Sequence, residues 1–252
     1  MRTFEKDQLT VYCFDTRAEM GRAAVADVSG KIQELLAQKD SIRMIFAAAP
    51  SQNEFLAALA SDPNIDFSRI DAFHMDEYIG LDADAPQGFG NFLRERLFDK
   101  APFRSVQYLN GLAADPEAEC LRYGALLKGG VDIVCMGIGE NGHIAFNDPG
   151  FADFHDPAVV KIVELDQVCR MQQVHDGCFS TLEQVPTHAL TLTIPTLTRV
   201  GAIFCMVPAA SKAQAVKATV QGPVTENCPA SILRQCEGAK LYLDQDSAAL
   251  LN

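Results

Sequence analysis

The chain has 252 residues, enough for one large α/β domain or two small ones with a sizeable core. Apolar residues make up 48% and charged residues 21%, the balance of a soluble globular enzyme. A formal net charge of -12 argues against nucleic acid and anionic membranes as partners, so any anionic substrate needs a local cationic or N–H-lined pocket.

Residues 16–39 carry Met20, Ala24, Val28, Ile32 and Leu35 at the spacing of an amphipathic helix. Ile42 to Ala48 reads as a buried strand, and Ser51 with Glu54 forms a capping-box pattern for a helix bearing Phe55, Leu56 and Leu59. Ile70 to Met75 is a further apolar strand that runs into Asp76-Glu77-Tyr78. Residues 81–90 are loop, and 91–99 and 115–127 are helical. Strands at Val131–Met136, Val159–Leu165, Leu190–Ile194, Val200–Val207 and Ala239–Leu243 follow, with a helix starting at Ser211. Strands that alternate with helices and are apolar across their width predict a single α/β domain over 1–252. Its mostly parallel sheet is covered by helices on both faces.

Eight scattered cysteines form no C-x-x-C pair, no secretory signal opens the chain, and no apolar run approaches the ~18 residues of a membrane span. A reduced cytoplasm is the expected setting. No His/Cys cluster has ligand spacing, so neither a metal nor another cofactor is expected. A homo-oligomer is compatible with the sequence.

The organising stretch is Val131 to Gly150, VDIVCMGIGENGHIAFNDPG. A strand opens into Gly137, Gly139 and Gly142 and delivers His143 and then Asp148 to the carboxyl end of the sheet, where open α/β sheets bind ligands. The G-x-G-x-x-G pattern matches a dinucleotide fingerprint, but that motif needs a helix starting inside the glycines. Pro149, Gly150 and Pro157 break the following segment, so nicotinamide binding is rejected. An isolated histidine is usually bonded to a backbone carbonyl. Here Glu140, Asn141 and Asp148 flank His143, and an imidazole oriented by a carboxylate is a proton shuttle near neutral pH. Adjacent strand residues point to opposite faces, so Asp76 is the candidate general base and Glu77 is turned away. Lys212, in the first turn of its helix, opposes the helix dipole. An anion bound at that end resolves the mismatch, whereas a lysine bent into solvent leaves it.

Phe73-His74-Met75-Asp76-Glu77-Tyr78-Ile79-Gly80-Leu81 and Gly137 to Pro149 together resemble the signatures of glucosamine-6-phosphate deaminases. Weaker matches at Ala189–Ile194, Ser211–Ala213 and Pro229–Leu233 extend the resemblance over most of the chain. It implies a modified Rossmann-like sheet, no cofactor, and ring-opening, isomerising deamination of an amino-sugar phosphate. By the same analogy His143 moves a proton at the ring oxygen, Asp76 carries one between carbon 2 and carbon 1, and Asp148 with Asn141 supports His143. Ser51, Gln52, Lys212, Arg170 and the loop glycines Gly139 and Gly142 are the expected substrate contacts.

Three departures stand out. The family's Ser/Thr-Gly-rich phosphate loop is replaced by Ala47-Ala48-Ala49-Pro50-Ser51-Gln52, with Glu54 close by. The helical arginine after the Val159–Leu165 strand is missing, with Arg170 near and His175 at the expected place. Asn141 and Asp148 stand where Asp and Glu are common. These changes imply that the sugar's carbon-6 end is recognised differently. A lactonase of the sister 6-phosphogluconolactonase type, or a sugar-phosphate sensor without chemistry, is the alternative reading.

Overall fold

Central strands that are apolar on both faces need cover on both sides. In the computed structural model, which describes residues 1–251, the chain opens with an antiparallel hairpin of β1 (Arg2–Lys6) and β2 (Leu9–Cys13). Then come α1 (Arg17–Leu36), β3 (Ile42–Phe46), α2 (Asn53–Ala60), β4 (Ile70–His74) and the three-residue β5 (Asp76–Tyr78). Next are α3 (Phe89–Leu93), continued by one wider turn to Phe98, β6 (Ser105–Gln107), α4 (Pro116–Leu126) and β7 (Ile133–Met136). The chain continues through β8 (Val160–Glu164), α5 (Gln167–His175), β9 (His188–Leu192) and α6 (Ile194–Thr198). It ends with β10 (Ala202–Val207), α7 (Ala213–Gln221) and β11 (Lys240–Leu243).

The main sheet has eight strands in the order β1-β2-β11-β10-β7-β3-β4-β6, and every neighbouring pair except β1–β2 is parallel. This is the expected mostly parallel α/β sheet. α1 buries Met20, Ala24, Val28 and Ile32 completely, the larger side chains contributing about 1.5–3 kcal/mol each. Thr16 caps its N-terminus by accepting the Glu19 N–H. Among the described residues no helix is long and apolar enough to cross a membrane, and all eight cysteines are free.

Several sequence readings need correction. The hairpin β1–β2 is not evident in the sequence, because five-residue strands that pair at a sheet edge carry little apolar pattern. β8 and β9 do not join the main sheet; with β5 they form a separate three-stranded antiparallel sheet, β5-β9-β8. An apolar run states that a strand is buried, not which sheet buries it. Ile194, read as the end of a strand, begins α6. The Ser51–Glu54 capping box does not form: the turn starts in a 3₁₀ segment at Pro50 with no side-chain cap. The Glu54 carboxylate is instead bound in a two-pronged ion pair by Arg17, at 2.9 and 2.8 Å.

Candidate active site

From the centre of the sheet the chain proceeds β3 to β4 to β6 in one direction and β7 to β10 to β11 in the other. The loops after β3 and β7 therefore diverge and leave a crevice at the carboxyl ends of these strands, the place where such sheets bind ligands. One cavity there is lined by Ala47–Ala49, Ser51 and Gln52 after β3, and by Gly137–Gly139, His143, Ala145 and Phe146 after β7. Met75, Asp76 and Phe89, together with Gln172, Gln173 and Lys212, complete its walls.

Between β7 and Gly150 the chain makes turns and no helix, as the proline and glycine positions require. Gly139 is indispensable for space: a Cβ there would stand 2.1–2.4 Å from the His143 ring. Gly142 adopts φ +87°, and a side chain on it would also meet Cys228 Sγ at 2.9 Å. The N–H groups of both glycines are spent inside the loop, Gly139 donating to His143 O and Gly142 to Gly139 O. Gly139 lines the cavity with its N–H already taken, whereas Gly142 is not among the lining residues, which corrects its reading as a substrate contact.

His143 is 8% exposed, and its Nδ1 lies 2.9 Å from Asp148 Oδ1 in a close but bent contact. Asp148 is 1% exposed. Asn141 does not touch the imidazole: its amide donates to Asp148 Oδ1 (2.9 Å) and its carbonyl accepts the His143 N–H (3.0 Å). It therefore orients the carboxylate and the backbone. Burial works to raise the Asp148 pKa. The His143 hydrogen bond and charge, the Asn141 amide and the Cys169 thiol outweigh it and hold the carboxyl below its ordinary value.

His143, Asp148 and Cys169 offer ligand-type atoms within 4.8 Å of one another, a cluster that sequence spacing does not reveal. Burial foremost, then the charges of Asp148 and Asp166, push the Cys169 thiol well up, so it stays protonated.

Asp76 reaches the cavity from the other sheet. It is 7% exposed, and its carboxyl forms no hydrogen bond with the protein among the described residues. Burial, then the charge of Glu77, raise its pKa well above the usual value. As the strand alternation requires, Glu77 points elsewhere. It accepts the N–H groups of Tyr78, Phe89 and Gly90 and so pins α3 behind the 81–90 loop. His74, fully buried, fixes the Asp76 backbone. Its Nε2 accepts the Leu109 N–H (3.0 Å), which leaves Nδ1–H to donate to Asp76 O (2.9 Å). Burial lowers the His74 pKa to about 4, so it stays neutral. Thr191 on β9 pairs in register with Asp76 while its hydroxyl accepts the Phe146 N–H from the loop that carries His143.

At the far end stand Ser51, Gln52 and Lys212. Gln52 donates to Met206 O (3.0 Å) and to Ser51 Oγ (3.2 Å), which leaves the Ser51 hydroxyl hydrogen free. Lys212 is 4% exposed, lines the cavity and has no ion-pair partner among the described residues; it is not bent into solvent. Burial lowers its pKa, partly offset by Asp176 and Glu140. Ala209, at φ +87°, makes the strained turn before it, and its N–H is held by the buried Asp244 carboxylate at 3.1 and 3.0 Å.

Arg170 is not in this site. Its guanidinium is turned to the Leu182 and Val185 carbonyls (2.7 and 2.9 Å) and borders a different hollow, because the Asp166 cap sets the phase of α5. His175 lies on the exposed side of α5, beside Glu140 at 3.3 Å. The α5 residues that do face the cavity, Gln172 and Gln173, escaped the sequence reading. Their signal is the phase of the helix, read from Cys169 inward.

Residues 15–242 match the family described as glucosamine-6-phosphate isomerases/6-phosphogluconolactonase. The chain is 36% identical over 228 residues to the glucosamine-6-phosphate deaminase of Bacillus cereus strain G9842, covering 90% of this chain and 85% of that one. It is also 36% identical over 220 residues to the Bacillus thuringiensis strain Al Hakam protein of the same name, covering 87% and 82%. A monomeric glucosamine-6-phosphate deaminase of known structure superposes with a TM-score of 0.86 at 30% identity, over 95% of this chain and 99% of that chain. The 6-phosphogluconolactonase of Trypanosoma brucei shares the fold, with a TM-score of 0.78 at 20% identity and full coverage (100%) of both chains. By its matched length and the identity of these relatives, the chain belongs to the glucosamine-6-phosphate isomerase/6-phosphogluconolactonase family.

Proposed function

We propose that this protein catalyses the isomerising deamination of an amino-sugar phosphate, glucosamine 6-phosphate or a close isomer such as galactosamine 6-phosphate. The products are a ketose phosphate and ammonia. The observation that carries the reading is that Asp76 and His143, held by two different sheets, line one cavity. His143, backed by Asp148, moves a proton at the ring oxygen and opens the pyranose to its aldehyde. Asp76 takes the proton from carbon 2 and returns it to carbon 1 while an amine proton passes to oxygen 1, which leaves a carbon–nitrogen double bond at carbon 2. Water adds there and ammonia leaves, one water consumed for each ammonia. A buried carboxyl with a raised pKa and no protein partner is a base suited to such a transfer near neutral pH. Lys212 and the Ser51 hydroxyl face the anionic end, with Gln52 holding Ser51 in place. The chain acts as one domain over 1–252, in the cytoplasm and without a cofactor.

The test is stoichiometry. Purified protein with a panel of amino-sugar 6-phosphates is expected to release ammonia and ketose phosphate one for one. Acid from a lactone substrate without ammonia would assign it to the lactonases, which need no carbon base. Thermal stabilisation by sugar phosphates with no product would make it a sensor.

Gly139→Ala probes the position of the ring. The added methyl occupies the His143 imidazole's own space, so the ring must move by an ångström or more. The expected result is a loss of about 100-fold in kcat, with an unchanged circular dichroism spectrum. Near-normal turnover would show that His143 need not stand where it does.

A further inference from the structure

The cavity's anion end has one cationic side chain and a wall of amides, which is little to oppose a dianion. Lys212 is the one lysine or arginine among the lining residues. The carboxylates of Glu140 and Asp176 lie near enough to act on it, and both add negative potential. The Gln172 amide is already engaged, accepting the Glu140 N–H at 2.8 Å and donating to Asp176 Oδ2 at 3.3 Å. Gln173, 7% exposed, makes no side-chain hydrogen bond with the protein among the described residues and faces the cavity. The side-chain donors left for a ligand are thus the Lys212 ammonium, the Gln173 amide and the Ser51 hydroxyl. Together they carry one positive charge.

A buried, unpaired ammonium calls for an anion, because an isolated charge in a low-dielectric pocket is costly. A neutral hydroxymethyl group at carbon 6 would leave it unmatched. A dianion would leave its second charge unmatched, beside two acids and inside a protein of net charge -12. A carboxylate has one charge, which matches the single lining cation. We infer that this end of the site selects a singly charged group, so that the preferred substrate is a 2-amino-2-deoxyhexuronate rather than the corresponding 6-phosphate. The inference rests on the deamination reading for the chemistry at carbons 1 and 2, but not for the charge count at the far end. The reaction keeps the same balance: the carbon-2 proton moves to carbon 1, one water adds at carbon 2, and ammonia leaves a keto-uronate.

The experiment compares 2-amino-2-deoxy-D-glucuronate with glucosamine 6-phosphate at pH 8, where the phosphate is dianionic. Ammonia release gives kcat/KM for each, and thermal stabilisation by each is read in parallel. The expected result is a kcat/KM about tenfold higher for the uronate, and greater stabilisation by it. Gln173→Arg supplies a second cation and is expected to shift the ratio at least about tenfold toward the phosphate. A 6-phosphate that is turned over and bound as well as the uronate, or better, overturns the inference. If neither compound yields ammonia, the deamination reading fails. The order of thermal stabilisation then decides the charge selection: the uronate ahead upholds it, the phosphate level or ahead overturns it.

Discussion

Replacing Asp76 with asparagine is expected to lower kcat by about 10²–10⁴-fold while ligand affinity changes only a few-fold. The amide has nearly the shape of the carboxyl, and the parent side chain makes no hydrogen bond to the protein that the change would break. What disappears is the ability to accept a proton from carbon. The diagnostic is solvent-deuterium incorporation into sugar carbon during turnover, which should vanish with kcat; a variant retaining more than about a tenth of its turnover would remove Asp76 from the role. The pH dependence has a fixed sign. Burial, reinforced by Glu77, makes the folded protein hold this proton more tightly than the unfolded chain does. The base form therefore appears only above the ordinary carboxylate range, and the acidic limb of kcat/KM lies there. For stability, Asp76 contributes most below its unfolded value near 3.8, and that contribution is lost as pH rises through the folded pKa. Asp76→Asn should flatten the stability profile over that window.

The second large effect is expected at Asp148. Asp148→Asn should reduce kcat by about 10³-fold, as when a histidine loses the carboxylate that sets its tautomer. The residue is enclosed, with His143 Nδ1 and the Asn141 amide both at Oδ1; an asparagine can keep an oxygen there but brings no negative charge to the imidazole. Here the stability sign is opposite to that of Asp76. The folded carboxyl loses its proton more readily than the unfolded one, so its contribution is present above the unfolded value of 3.8 and is lost as pH falls through the folded pKa. Wild type and variant should thus converge in stability in strong acid and separate toward neutrality. Urea midpoints across pH would show it, and parallel curves would mean that Asp148 carries no charge-dependent stabilisation.

The main parallel sheet was legible in the sequence because β3, β4, β7, β10 and β11 are buried on both faces and announce themselves as apolar runs. The His143 loop was legible because glycines and a proline exclude a helix. The separate antiparallel sheet was not: β5 pairs with β9 through partners as far apart in sequence as Asp76 and Thr191, and pairing at that distance leaves no local trace. Arg170 and Gln173 show a subtler failure. They sit three residues apart on one helix and so are near neighbours around its axis; Gln173 lines the cavity while the Arg170 guanidinium is drawn aside by the Leu182 and Val185 carbonyls. Glu54 was misread because its partner, Arg17, lies on another helix.

Thr191 ties the Asp76 strand to the His143 loop, through its register pairing and its hydroxyl. The segments that carry Asp76 and His143 are thereby joined through one residue. The anion end is assembled differently, from the loop after β3, from α5 and from the strained turn before α7. Those three pieces can be exchanged one at a time. On such a frame, a substitution at the anion end leaves the Asp76–His143 pair where it stands.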